Sequence, residues 1–248
     1  MHDDANTLIN TITLMIMYEK HEDGNGNIIK ISRSFYDLTH LIYQKMPNPP
    51  GNPHPQFQPF YTLEKDIANV TLLTMGSYTG THVDAPLHFI STSNSVDKVP
   101  LEKLTGEAII LDVSKKAIGE GITNVDLDIY SKIVKPDDIV LLYTGTSDHW
   151  DQNESIMQNY TYLEPSAAKW IVDHNIKCIG IDSVSVEKYN FQEGLLHRTL
   201  LSRNIGIIEA LNSNLKKCVG KRMFLVCLPL FLRCIDGAPA RVIVFDVM

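Results

Sequence analysis

With 248 residues, 44% of them hydrophobic, the chain can bury one large core, is short for two ordinary domains, and is not globally disordered. Its formal net charge of −7 argues against nucleic acid or an anionic membrane surface as partner, because both require a basic face. Plain solubility is the preferred reading of this mild acidity.

The N-terminal elements come first in chain order. Residues 11–17 are apolar but too short to span a bilayer, and Asp3 and Asp4 stand where a secretory signal would carry positive charge. A cytoplasmic protein is expected. Residues 21–28 are rich in turn formers and read as exposed. Five prolines within 46–58 exclude a helix or a central strand, which leaves an irregular loop: a lid, a binding loop or a disordered connection. Short apolar or β-branched runs then predict strands at 70–75, 108–113, 138–143, 177–181, 205–208, 223–228 and 241–245. Pro165 can open a helix on which Ala167, Trp170 and Ile171 share one face and His174 faces solvent. Residues 210–215 read as another short helix. Many strands with few helices, and no strict strand–helix–strand rhythm, predict an α/β or α+β domain without internal repeats or a dividing linker. Cys178, Cys218, Cys227 and Cys234 form no CxxC pair and read mostly as buried thiols.

The chemistry concentrates at 80–89, Gly-Thr-His-Val-Asp-Ala-Pro-Leu-His-Phe. His82, Asp84 and His88 are all of types that bind a divalent metal or move a proton near neutral pH. Pro86 argues against a continuous helix, and in extended chain His82 and Asp84 project to one side, where an ion is easily held between them. The alternative is a surface loop with incidental polar residues. Downstream, His197 and Glu209 would complete a four-ligand set. Taken singly, they read as a hydrogen-bonded structural histidine and an ion-paired carboxylate. GxSxG, GxGxxG and P-loop motifs are all missing, which speaks against a hydrolase serine or a phosphate cradle.

Residues 80–89 resemble the HxGTHxDxPxH signature of the metal-dependent cyclase family, which includes bacterial kynurenine formamidases and isatin hydrolases. Residues 37–40, Asp-Leu-Thr-His, resemble its opening DLTH, and Gly-Ile-Asp-Ser at 180–183 its GxDS segment. His197 and Glu209, twelve residues apart, match its distal pair, and Gly-Ala-Pro-Ala-Arg at 237–241 its closing GxPxR. The resemblance begins near Phe35, so residues 1–34 are expected to be an N-terminal extension and 35–248 a single cyclase-like metal-hydrolase domain. It implies a swivelling β/β/α fold with mixed sheets and a few helices, assembled as a homodimer or homotetramer. It also implies hydrolysis of an amide or lactam bond in a small molecule by metal-activated water, with Zn or Mn, one or two per chain. On this pattern His82, Asp84, His197 and Glu209 are ligands, Asp84 can bridge two ions, and His88 is the general acid/base.

The chain departs from the pattern at Tyr78, which replaces the first histidine. A neutral phenol is a poor ligand for either metal. Three outcomes are open. In the first, one ion is held by Asp84, His197 and Glu209 with help from His82; in the second, Tyr78 donates a hydrogen bond to substrate or water; in the third, the protein is a catalytically weakened relative. In the proline-rich loop, Pro49 and Asn52 replace an aromatic residue and an aspartate of the formamidases. Phe57, Phe60 or Tyr61 could restore the lost ring, and Trp150 could line the pocket; all can equally be packing residues. Tyr78, Phe57 and Trp150 are therefore the candidate substrate contacts. Two rivals to the hydrolase remain: a binding protein of the same fold, and a metal-dependent lyase or dehydratase, which needs the same Lewis acid and proton carrier.

Overall fold

The computed structural model describes residues 31–152, 154–191 and 193–247, so the readings made at 11–17 and 21–28 lie outside the described residues. In chain order the strands are β1 (Ile31–Asp37), β2 (Gln56–Tyr61), β3 (Val70–Thr74), β4 (His82–Asp84), β5 (Thr105–Asp112), β6 (Gly121–Ile122), β7 (Ile139–Tyr143), β8 (Tyr162–Leu163), β9 (Cys178–Ile181), β10 (Gly206–Glu209), β11 (Arg222–Pro229) and β12 (Gly237–Val247). The helices are α1 (Leu101–Leu104), α2 (Asn124–Asp128), α3 (Pro165–Asp173) and α4 (Leu195–Ser202). Each predicted strand falls on an observed one. The structure adds β1, whose pairing with β12 starts at Ile31, the short β4, β2 beside β3, and the β6–β8 pair.

Eight strands pair in the order β1-β12-β11-β5-β7-β9-β10-β4, and β4 pairs again with β12, so the mixed sheet closes into a barrel-like ring. Strand β12 is long enough to join both neighbours: residues 237–239 register with β4 and 243–247 with β1. The run β5, β7, β9, β10 is parallel, while β4 and β11 run antiparallel to their neighbours.

Alternation along the strands builds two cores. Val83, Ala108, Ile110, Ile139, Leu141, Ile208, Leu225 and Val242 pack together inside the ring. Their neighbours Ile109, Leu111, Val140, Leu142, Ile179 and Ile207 pack outward, against Ala167, Trp170 and Ile171 of α3 and Leu196, Leu200 and Leu201 of α4. Each such buried side chain contributes about 2 kcal/mol. The architecture is the α/β domain with mixed sheets and few helices that the sequence led us to expect.

Three local readings need correction. His174 does not face solvent: it is half-buried at the end of α3, stacked on Trp170 with ring centroids 3.9 Å apart and Nδ1 2.9 Å from the Trp170 carbonyl. Residues 210–215 are not a helix. Leu211 bridges to Thr39, and a 3-10 turn starts only at Ser213, where the Asn212 side chain accepts the Asn214 N–H. The proline-rich loop ends sooner than expected, because Gln56 begins β2, which pairs with β3. Pro59 is tolerated there because β2 has a ladder on one side only. All four cysteines are unpaired, three buried and Cys234 exposed. Among the described residues no helix is long and apolar enough to cross a membrane.

Candidate metal centre

Strand β4 lies between β10 and β12, with His82 opposite Glu209 and Asp84 opposite Ile207 in the β10 register. Val83 points into the ring, so His82, Asp84 and Glu209 share the outer face. Helix α4 packs on that face and delivers His197. The helix opens after Gly194, whose φ of +58° and contact with the Phe89 ring leave no space for a side chain. Phe89 in turn stacks on His197, with centroids 4.3 Å apart.

The four side chains meet. His82 Nε2 lies 3.5 Å from Asp84 Oδ1 and 3.3 Å from Glu209 Oε2. His197 Nε2 lies 3.4 Å from Asp84 Oδ2 and 3.2 Å from Glu209 Oε1. All four residues are at most 4% exposed. Both imidazoles are oriented through their other nitrogen: His82 Nδ1 is 2.8 Å from the Gly80 carbonyl, and His197 Nδ1 is 2.7 Å from Glu187 Oε2. A donating Nδ1–H in each leaves both Nε2 lone pairs facing the carboxylates. Glu209 Oε1 accepts the Val186 N–H at 2.7 Å and the Ser185 hydroxyl at 3.0 Å.

Burial pushes the His82 and His197 pKa values down, but the surrounding carboxylates more than reverse this. Glu209 and Asp84 raise His82, and Asp84, Glu187 and Glu209 carry His197 well above its ordinary range. Burial raises Glu209, and the two imidazoles pull it below the usual carboxylate range instead. The cluster thus attracts positive charge. Neither Asp84 oxygen accepts a hydrogen bond, although both are buried. Such a carboxylate is costly unless a cation compensates it. His82, Asp84 and Glu209 each place a ligand atom within 4.8 Å of the others, and His197 closes on the same two carboxylates from the far side. Two imidazole nitrogens with carboxylate oxygens suit Zn or Mn, so the residues fit a divalent ion.

A cavity of about 300 Å³ opens onto this cluster. His82, His88, His197 and Glu209 line it, with Tyr78, Phe89, Trp150, Met157, Tyr160 and Phe191, and with Pro49 and Asn52 from the proline-rich loop. His88 sits on a 3-10 turn at Pro86–His88, as the break at Pro86 requires, and burial lowers its pKa from the ordinary value. Its Nδ1 is 3.9 Å from Asp236 Oδ2, the atom that accepts the Tyr78 hydroxyl at 2.7 Å. Trp150 stacks on His40 with centroids 3.9 Å apart. Phe57 does not join them: it lies half-buried on β2, outside the cavity lining, and Phe60 and Tyr61 are exposed.

Sequence reasoning missed Glu187 and Asp236. Nothing in their spacing separates them from surface acids, yet Glu187 is only 6% exposed and also accepts the Leu196 N–H at 3.3 Å, capping α4. Helix α4 itself carried a signal in Leu196, Leu200 and Leu201 at helical spacing. The 180–183 segment serves as scaffold. Fully buried Asp182 accepts the Thr144 and Gly145 N–H groups at 2.7 and 3.1 Å and the Thr144 and Ser147 hydroxyls at 2.6 and 2.8 Å. This ties the loop after β7 to the loop after β9, which carries Ser185, Val186 and Glu187 to the cluster.

Comparison with known proteins adds three findings. Residues 36–188 match the Cyclase family model, described as "Putative cyclase". A kynurenine formamidase of Bacillus mycoides (strain KBAB4) is 32% identical over 176 residues, which are 71% of this chain and 79% of the relative. Two solved structures share the fold. One, titled as a potential metal-dependent hydrolase with cyclase activity, has a TM-score of 0.73 and 30% identity over 87% of this chain and 98% of its own. The other, isatin hydrolase A from Labrenzia aggregata bound to benzyl benzoate, has a TM-score of 0.77 at 21% identity over 87% and 94% of the two chains.

Proposed function

This chain belongs to the Cyclase family, and from that premise we propose that it hydrolyses an amide bond in a small molecule with the help of a divalent metal, Zn or Mn. The observation that carries the reading is the convergence of His82, Asp84, His197 and Glu209 on two buried carboxylate oxygens that nothing else satisfies, beside an open cavity. The formamidase relative and the metal-dependent hydrolase neighbour support it.

When bound, a divalent ion there lowers the pKa of water and polarises a carbonyl. The protein's own residues do the rest. His88 is the proton carrier. Burial keeps its imidazole neutral near pH 7, so it can take a proton from the attacking water and return it to the leaving nitrogen. Trp150, Tyr160 and Phe89 give the cavity aromatic walls, which favour an aryl formamide or a lactam fused to an aromatic ring.

The test is turnover of an aryl formamide and of isatin by Mn- or Zn-loaded protein, with and without chelator, in ¹⁸O-labelled water. Chelator-sensitive product carrying the label supports hydrolysis. Turnover without label would make the protein a lyase. Tight binding without turnover would make it a binding protein, the reading that Tyr78 favours.

We also propose a cytoplasmic location, supported by four unpaired cysteines, and a homodimer or homotetramer. Phe60, Tyr61, Val70, Leu72 and Leu73 are exposed on the β2–β3 hairpin, and a two-stranded hairpin is marginal in water unless something covers it. A second copy of the chain covers it in this reading. A monomeric mass by light scattering would overturn that.

A further inference from the structure

Resting on the metal-hydrolase reading above, we infer that Thr81 is a positioning residue of the metal centre. Its hydroxyl holds the carbonyl of Ala210, and so fixes how His82, the residue after Thr81, faces Glu209, the residue before Ala210. No step of the hydrolase reading uses Thr81, although it adjoins a ligand in the chain.

The ladder between β4 and β10 stops at the pair His82–Glu209. The next pair in register would be Thr81 with Ala210. No ladder forms there, because Ala210 has a φ of +54°, in the left-handed region that a residue with a Cβ rarely adopts. Such a conformation persists only where its surroundings impose it. Here they do. The Thr81 hydroxyl donates to the Ala210 carbonyl at 2.5 Å, and the Ala210 N–H donates to the Ser183 carbonyl at 2.9 Å. A side-chain donor thus replaces a backbone one just where the two ligands meet, with His82 Nε2 3.3 Å from Glu209 Oε2.

Thr81 and Ala210 are both buried, so neither partner of this bond is open to water. The same hydroxyl accepts the His40 N–H at 2.9 Å, and the Thr81 carbonyl accepts the Ala240 N–H at 2.9 Å. Four segments that stand out in the sequence, 37–40, 80–89, 180–183 and 237–241, therefore all reach this node. Of the four, only 80–89 supplies ligands. The other three act on the centre by locking the corner from which His82 and Glu209 project. Valine has the shape of threonine without its donor and acceptor. At position 81 it would leave the Ala210 carbonyl and the His40 N–H unpaired, and would free Ala210 to leave the left-handed region.

The experiment is isothermal titration of Mn²⁺ into the full chain and into its Thr81→Val and Thr81→Ser variants. Electron paramagnetic resonance spectra of the loaded proteins and thermal melts of the metal-free ones accompany it. Thr81→Val should bind Mn²⁺ about 10- to 100-fold more weakly, the range for a group that orients a metal ligand. Thr81→Ser keeps the hydroxyl and should stay close to wild type in affinity and spectrum. A purely structural role would lower the melting temperature of Thr81→Val and leave its affinity and spectrum unchanged; that result would overturn the inference. So would an equal loss in Thr81→Ser, because the hydroxyl would then not be what matters. Thr81→Ala removes the same donor without adding bulk and takes the measurement if Thr81→Val does not fold. Wild-type protein that binds no Mn²⁺ would overturn the metal reading and the role of Thr81 together.

Discussion

His197 Nδ1 lies 2.7 Å from Glu187 Oε2, and this contact ties the distal histidine to the loop after β9. It fixes which nitrogen faces the cluster, and the same carboxylate caps α4 at the Leu196 N–H. Glu187→Ala should weaken metal affinity about 10- to 100-fold. Glu187→Gln, whose amide oxygen can still accept the Nδ1–H, should recover most of the loss. Isothermal titration of both variants checks this. If the two lose affinity equally, hydrogen bonding to His197 is not what Glu187 provides.

His88 stands beside the ligand cluster without joining it. His88→Asn should lower kcat about 10²- to 10⁴-fold and leave metal content unchanged. Elemental analysis alongside steady-state kinetics separates the two effects. Full turnover in the variant would exclude His88 as the proton carrier.

Metal affinity should rise with pH. In the metal-free cluster His82 and His197 hold protons above the ordinary imidazole range, because the nearby carboxylates outweigh the effect of burial. An ion must displace those protons, so the apparent affinity should grow roughly 10- to 100-fold per pH unit between about pH 6 and 8. Titration in buffers of different ionisation enthalpy counts the released protons. A pH-independent affinity with no proton release would contradict the assignment of both imidazoles as ligands.

His40 gives stability the same direction of pH dependence by another route. Burial lowers its pKa from 6.5 to about 4, against the opposing effect of Asp151. The unfolded chain therefore takes up this proton first as pH falls. The stability is fully present above about pH 6.5 and is lost progressively on the way to pH 4, about 3 kcal/mol in all and about 2 kcal/mol by pH 5. His40→Phe keeps a ring on Trp150 and removes the titration. Urea unfolding at pH 7.5 and pH 5 should show a smaller drop for the variant than for the wild type, and equal drops would show that His40 is not responsible.

The sequence by itself determined six of the strands of the closed sheet and the proximity of His82 to Asp84. Both are encoded locally. Alternation of period two places 108, 110, 139 and 141 on one face and their neighbours on the other, whatever the chain does elsewhere. His82 and Asp84 are two residues apart in a strand, so their convergence needs no tertiary information. What only the tertiary structure decided are the contacts between residues far apart in the chain. Tyr78 is 158 residues from Asp236, and only the antiparallel pairing of β4 with β12 brings the phenol to its acceptor. Glu187 and His197 are separated by a loop of no regular period, so no pattern marks that glutamate as buried. Phe57 was misplaced for the same reason: an aromatic in a proline-rich run looks like a pocket residue until pairing with β3 carries it away on a hairpin. Local periodicity fixes which way a side chain points along its own strand or helix, whereas the partner it meets depends on which distant backbone the fold lays beside it.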